Sequence, residues 1–149
     1  MPGDIKVRMD MLLYSGDNAE AGLRSAKRLG SGHVALAKAR TALNRKASNV
    51  KALLDAVPHD LHNDPLYLFS KAQWLRREDK FVEAARAMQA APRDPARLVN
   101  ADEWWIERRL LARKLLDTNE PRLAYAIARD ASLPARDIYK TESEFTAGW

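Results

Sequence analysis

Apolar residues recur every three or four positions along most of the chain, and this spacing predicts amphipathic helices. The spacing is most regular in two stretches that Pro and Gly residues separate. One stretch carries Leu36, Ala39, Ala42 and Leu43, and the other carries Leu66, Phe69, Ala72 and Leu75. Alternating runs of Val, Ile and Thr are missing from the sequence, and so are Asn-Gly hairpin turns. The pattern therefore predicts an all-α fold.

Local signals mark where several of these helices start. Asp64 can cap a helix that begins at Pro65, because the first helical position does not need an N–H. Asn100 and Glu103 have the spacing of a capping box, and Asp79 precedes an Ala-rich stretch. Chain breakers fall between the predicted helices, at Gly16, Gly30, Gly32, Pro58, Pro65, Pro92, Pro95, Pro121 and Pro134.

A weak repeat organises the predicted helices into pairs. Short polar turns, each followed by an Ala-rich segment, are centred on Asp17, Ser48, Asp79 and Asn119, at offsets of 31, 31 and 40 residues. A period near 34 residues is typical of tetratricopeptide-like helix hairpins. The sequence thus predicts a single domain over residues 1–149, built from stacked helix hairpins.

Composition narrows the classes of function. The chain has 149 residues, of which 46% are hydrophobic and 30% charged, and it contains no cysteine. Disulfides and thiolate chemistry are therefore excluded, and no apolar run approaches the roughly 20 residues of a membrane span. A net charge of +5 favours polyanions. Aromatic residues are not interleaved with the basic clusters as single-stranded nucleic acid would require, so no nucleic acid is expected.

Only one stretch has the residue types of a metal site. His59 and His62 are three residues apart, with Asp60 and Asp64 nearby, but they lie in a Pro-flanked connection without a third strong ligand. A solvated loop is the preferred interpretation, and His33 is expected to be an ordinary helix residue. The sequence has no phosphate-binding Gly-rich loop. We therefore predict no catalytic residue, no cofactor and no metal.

The segment from Trp104 to Leu116 contains the remaining candidate residues. Trp104 and Trp105 could stack on sugar rings, but they fall in an arc with Leu111, Ala112, Leu115 and Leu116 and are expected in the core. Arg108 falls in the same arc, so it should be buried and paired with an acid from a neighbouring helix. Arg109 and Arg113 complete the set of candidates for glycan contacts or ion pairs.

Several stretches resemble the N-terminal superhelical region of soluble lytic murein transglycosylases. They are residues 104–116 (WWIERRLLARKLL), 64–69 (DPLYLF), 73–77 (QWLRR), 92–97 (PRDPAR), 124–130 (AYAIARD) and 144–149 (EFTAGW). The resemblance covers most of residues 33–149. It implies a right-handed α-α superhelix in the periplasm, which holds a C-terminal catalytic domain and the peptidoglycan strand that this domain cleaves.

The resemblance also implies that this chain is catalytically inert. The family's acid is a Glu in a Glu-Ser-x-Phe context, followed by Gly-Leu-Met-Gln. Glu142-Ser-Glu-Phe145 imitates the first part alone, and the chain ends four residues later. A general acid needs an apolar pocket that keeps its carboxyl neutral. We therefore expect a fragment of a longer enzyme, with Glu142 in a turn or in the first turn of a helix.

Two other functions stay open. The chain could be a tetratricopeptide-like adaptor that binds a protein or peptide in its concave face. It could also be a basic helical module for nucleic acid, which is the least favoured of the three interpretations.

Overall fold

The computed structural model describes residues 2–15, 18–92 and 99–129, and most of these residues are helical, with no β-strand among them. The all-α prediction is confirmed for this part of the chain. The helices are α1 (Pro2–Ser15), α2 (Ala19–Leu29), α3 (Ser31–Asn44), α4 (Val50–Asp55), the 3-10 helix η1 (His59–Leu61), α5 (Pro65–Arg77), α6 (Phe81–Gln89), α7 (Ala101–Asp117) and α8 (Pro121–Arg129).

Two of the predicted start signals act as caps. Asp64 Oδ1 accepts hydrogen bonds from the backbone N–H groups of Leu66, at 2.9 Å, and Tyr67, at 3.4 Å. Asn100 Oδ1 accepts from the N–H of Glu103 at 3.2 Å. Each side chain satisfies donors that the first turn of a helix leaves without an intrahelical partner, so the starts of α5 and α7 follow from local sequence.

Three of the described helices, α3, α5 and α7, end in the same way. Lys46, Asp79 and Asn119 adopt left-handed backbone conformations, with φ of 56°, 61° and 63°. The N–H after each of them donates to the carbonyl five residues before it, from Ala47 to Ala42, Lys80 to Leu75 and Glu120 to Leu115, at 2.7–2.9 Å. This is the Schellman motif, in which a left-handed residue closes the helix.

The closing residues correct the register of the predicted repeat. Asp79 ends α5, and Lys80 stands at the N-cap of α6. The equivalent residue of the preceding turn is Lys46, two positions before Ser48, and it lies 33 residues before Asp79. Asn119 follows Asp79 by 40 residues, as predicted. The predicted turn at Asp17 lies outside the described residues.

An alanine stands seven residues before each closing residue. Ala39, Ala72 and Ala112 hold these positions, and each is fully buried. A side chain as small as alanine lets a neighbouring helix approach closely, whereas a larger one would hold it away. The left-handed turn and the buried alanine recur together at all three helix ends, so the repeat that the sequence predicts has a counterpart in backbone geometry and burial.

The chain divides into two compact units, residues 1–70 and 71–149, and the division falls inside α5. The prediction of a single domain over residues 1–149 stays a prediction. In the first unit, α1 packs on α2 and α2 packs on α3. Gly22 allows the α1–α2 contact, because a Cβ at this position would lie 2.6 Å from Cδ2 of the buried Leu13.

Arg40 stabilises the end of α1 from inside the first unit. It is 2% exposed, its Nε and Nη2 donate to the carbonyls of Leu13 and Tyr14 at 3.2 Å, and its guanidinium lies 4.9 Å from the ring centroid of Phe69. A cation is favourable at a helix C-terminus, where the last carbonyls lack helical partners. Arg40 is therefore an interior residue, although the basic residue Lys38, two positions before it in the sequence, is exposed.

The second unit has an apolar core built around α7. Its buried side chains are Ala84, Ala85, Met88, Trp104, Trp105, Leu111, Ala112, Leu115, Ala124, Ile127 and Ala128. Within the described residues, no helix combines the length and the apolarity that crossing a membrane would require.

Candidate functional site

Helix α7 holds all five of the predicted candidate residues, but it presents only some of them to solvent. Trp104, Trp105 and Arg108 are 0%, 2% and 1% exposed. The Arg109 guanidinium lies 5.1 Å from the ring centroid of Trp105 and is half-buried, while Arg113 is exposed. The expected core position of the two tryptophans is confirmed. Their enclosure disfavours a sugar-stacking platform, so Arg109 and Arg113 are the accessible members of the set.

The burial expected for Arg108 is also confirmed. Its Nη2 donates to the backbone carbonyl of Met88, the last residue but one of α6, at 3.3 Å. This bond places a guanidinium at a helix C-terminus, the same arrangement that Arg40 makes at the end of α1. The predicted acidic partner of Arg108 stays a prediction.

The neighbouring residue, Glu107, forms a buried ion pair that the sequence analysis missed. Glu107 is 2% exposed, and its two carboxylate oxygens accept from Nε and Nη2 of Arg76, at 2.5 and 3.3 Å. This two-point geometry is the strong form of an arginine–carboxylate contact. Position 107 lies three residues after Trp104 and four before Leu111, on the buried side of α7, and that spacing could have identified it.

A second group of charges lies inside the first unit. Lys6 Nζ contacts both carboxylate oxygens of Asp10 and lies 2.9 Å from Oδ2 of Asp64, the residue that caps α5. Asp10 is 3% exposed, and burial raises its pKa to about 6, against the opposing effect of Lys6 and with a smaller contribution from Asp64. Burial, followed by the charge of Lys6, lowers the pKa of His33.

The group formed by Lys6, Asp10 and Asp64 contains a carboxyl with the pKa of a catalytic acid, but that carboxyl lacks access to a substrate. A carboxyl with a pKa of about 6 can hold or release a proton near neutrality. Asp10, however, is enclosed and held by Lys6, so a substrate atom in solvent cannot reach it in this conformation. We interpret the group as a structural connection between α1 and the start of α5.

The two histidines of the predicted loop take part in local packing. The Nε2 of His62 lies 3.0 Å from the carbonyl oxygen of Val57, and its ring stacks on Tyr67 with a centroid distance of 4.5 Å. The rings of His59 and His62 meet edge to face at 5.0 Å. Among the described residues, no group of three or more His, Cys, Asp or Glu side chains is arranged to hold a metal ion.

One groove of the first unit could accept a peptide. It has a volume of about 430 Å³ and runs between α2, α3 and α4. Apolar Leu23 and Leu53 line it together with charged Glu20, Lys38 and Arg45. A surface of this composition can bury an apolar side chain and hold charges of either sign at its rim.

Glu142, the residue that imitates the family's acid, lies outside the described residues.

Comparisons with protein-family models, with curated proteins and with solved structures give no match to this chain.

Proposed function

We propose that the chain is a non-catalytic helical scaffold, the superhelical part of a periplasmic lytic transglycosylase that cleaves peptidoglycan. The proposal starts from the six stretches that resemble this family, and periplasmic placement comes from that resemblance. Residues in several of these stretches serve the helical framework. Asp64 caps α5, Trp104 and Trp105 fill the core of the second unit, and Glu107 holds Arg76.

The recurring helix end carries the proposal. Lys46, Asp79 and Asn119 close three helices with the same backbone geometry, and each stands seven residues after a buried alanine. Repeat proteins stack one helix pair on the next with a fixed local geometry, so that each pair seals the apolar side of its neighbour. The right-handed, tetratricopeptide-like superhelix is the arrangement that we propose for these pairs.

The placement of the charges agrees with a scaffold role. The enclosed acids Asp10 and Glu107 are held by Lys6 and Arg76, and the capping acid Asp64 is bound to backbone N–H groups. A glycosidase acid needs instead a carboxyl that faces a substrate cleft. In the proposed enzyme, this chain positions a separate catalytic domain and the glycan strand. Of the five candidate residues on α7, Arg113 is exposed and Arg109 is half-buried.

Two measurements test the scaffold proposal. The gene on either side of this segment should encode a lysozyme-like domain that contains Glu-Ser and Gly-Leu-Met-Gln motifs. Purified peptidoglycan should yield 1,6-anhydro-muropeptides with the protein that carries this domain, and none with residues 1–149 alone. Release of anhydro products by residues 1–149 would refute the proposed division of labour, and so would a complete gene without a catalytic domain.

The groove between α2, α3 and α4 favours one alternative, a peptide-binding adaptor. Its mixture of leucines and opposite charges suits a peptide with an apolar anchor and charged flanks. Screening a peptide library against the wild-type chain and the Leu53→Lys variant distinguishes the two functions. Saturable binding that this substitution abolishes, in a chain without a peptidoglycan-cleaving parent, would favour the adaptor.

A further inference from the structure

Three arginines converge on one small cavity between α1 and α2. The cavity has a volume of about 440 Å³, and Arg8, Arg24 and Arg28 line it together with Ser25 and two apolar side chains, Ile5 and Ala21. This volume is within the range of roughly 300–1,000 Å³ that is usual for small-ligand sites. Every residue in this lining belongs to the first unit.

The positive charge around this cavity has no acidic partner in the lining or in the ion pairs of the described residues. All three arginines are exposed, and within the described part of the chain none of them forms an ion pair or hydrogen bond through its side chain. None of the lining residues is acidic. Like charges held close together repel one another, so the site gains most from an anion that several guanidiniums can share.

Ser25 adds a neutral hydrogen-bond donor to the lining of the cavity. This residue is 8% exposed, yet it lines the cavity. Its hydroxyl forms no hydrogen bond with any described residue, and its oxygen is open to solvent rather than sealed in the interior. Ser70 shows the usual alternative for a serine inside a helix, since its hydroxyl donates to the carbonyl of Leu66 at 2.8 Å. Ser25 is thus placed to donate to a ligand.

We propose that Arg8, Arg24, Arg28 and Ser25 form a binding site for a phosphate group with two negative charges, as in inorganic phosphate or a phosphomonoester. Such a dianion offers three or more acceptor oxygens, which three guanidiniums and one hydroxyl can share. A carboxylate has two oxygens and one charge, so a single arginine satisfies it. The proposal does not depend on the scaffold role, because it rests on residues 5–28 alone.

Calorimetric titration with inorganic phosphate at constant ionic strength tests the site. The wild-type chain should bind one phosphate saturably, and acetate should bind at least tenfold more weakly. The double variant Arg24→Gln/Arg28→Gln should weaken phosphate binding at least tenfold. Its control, Lys27→Gln/Lys51→Gln, removes the same charge from exposed positions outside the cavity and should change the affinity less than twofold.

The Ser25→Ala variant distinguishes specific phosphate binding in the cavity from non-specific attraction to a positive surface, because the substitution changes no charge. It should weaken binding several-fold while the far-ultraviolet circular dichroism stays unchanged. Equal losses in the two double variants, no loss in Ser25→Ala, or equal affinity for phosphate and acetate would each overturn the proposal.

Two further ligands distinguish a soluble phosphomonoester from a lipid headgroup as the source of the phosphate group. Glycerol 1-phosphate tests a soluble ester, and vesicles of phosphatidylcholine with phosphatidic acid test a lipid headgroup, against vesicles of phosphatidylcholine alone. Binding of either ligand that is lost in Arg24→Gln/Arg28→Gln supports the site and identifies its source. Failure of both, together with failure of inorganic phosphate, would refute it.

Discussion

Asp10 is a buried carboxyl whose replacement by asparagine should change how stability depends on pH. Asparagine has nearly the same shape and can still accept a hydrogen bond from Lys6, but it cannot carry a charge. The contact between Lys6 and Asp64 at 2.9 Å does not involve the substituted group. The variant therefore removes the titration of one enclosed group and leaves its surroundings close to their original state.

The magnitude follows from the pKa of Asp10. Burial raises that pKa from 3.8 to about 6 in the folded protein. Between these values the folded state binds more protons than the unfolded state, so the free energy of unfolding falls as the pH rises. A tenfold change in an acid dissociation constant corresponds to about 1.4 kcal/mol, so Asp10 lowers the stability at pH 7 by about 3 kcal/mol relative to pH 3.

The assay is urea unfolding followed by circular dichroism, with wild type and Asp10→Asn compared at pH steps from 4 to 7. Other carboxyl groups titrate in both proteins, so the difference between the two free energies isolates Asp10. Wild type should lose stability relative to the variant as the pH rises through about 6. A difference that does not vary with pH would show that the Lys6 ion pair offsets desolvation, and a change in the opposite direction would show that it outweighs desolvation. Either result would refute the reasoning.

Three other substitutions test the packing and the turns, each by urea or thermal unfolding. Gly22→Ala should destabilise by about 1–3 kcal/mol, because its Cβ meets a buried leucine, whereas Gly3→Ala, with no atom within 4 Å of the new Cβ, should be neutral or stabilise by up to about 1 kcal/mol. Equal effects at the two glycines would contradict the close approach of α1 and α2. Glu107→Ala should lower the free energy of unfolding by about 3 kcal/mol, because it leaves Arg76 without its carboxylate. The exposed control Arg113→Gln should change the free energy of unfolding by no more than about 0.5 kcal/mol. A small effect for both variants would show that the ion pair contributes little. Asp79→Gly should stabilise by about 0.5–1 kcal/mol, because φ is 61° there and glycine adopts this conformation without strain, and a loss of stability would mean that the Asp79 side chain supports the turn.

Features that depend on a few consecutive residues could be predicted from the sequence. Asp64 with Pro65, and Asn100 with Glu103, specify a helix start within one turn, and the structure has both starts at these positions. The burial of Arg108 was also predictable, since helical periodicity places it between two apolar residues. In each case the information lies within about four positions along the chain.

Features that depend on contacts between distant helices could not be predicted in this way. Arg40 belongs to a basic cluster in the sequence, and only the packing of α3 against the end of α1 makes it an interior residue. Asp10 is flanked by Met9 and Met11, and its partner Lys6 also contacts the capping residue Asp64, which is 58 positions beyond Lys6 in the sequence. The position of Lys46 as a closing residue depends on its left-handed backbone, a conformation for which lysine has no special preference.

The aromatic residues give the two units different optical properties. All four tryptophans of the sequence follow residue 70, and Trp104 and Trp105 are enclosed in the second unit. Indole fluorescence therefore reports on the second unit alone without any added label, and exposure of these rings to water would shift their emission to longer wavelengths. Ellipticity reports on the helices of both units, so a separation of the two signals during denaturation would reveal which unit unfolds first.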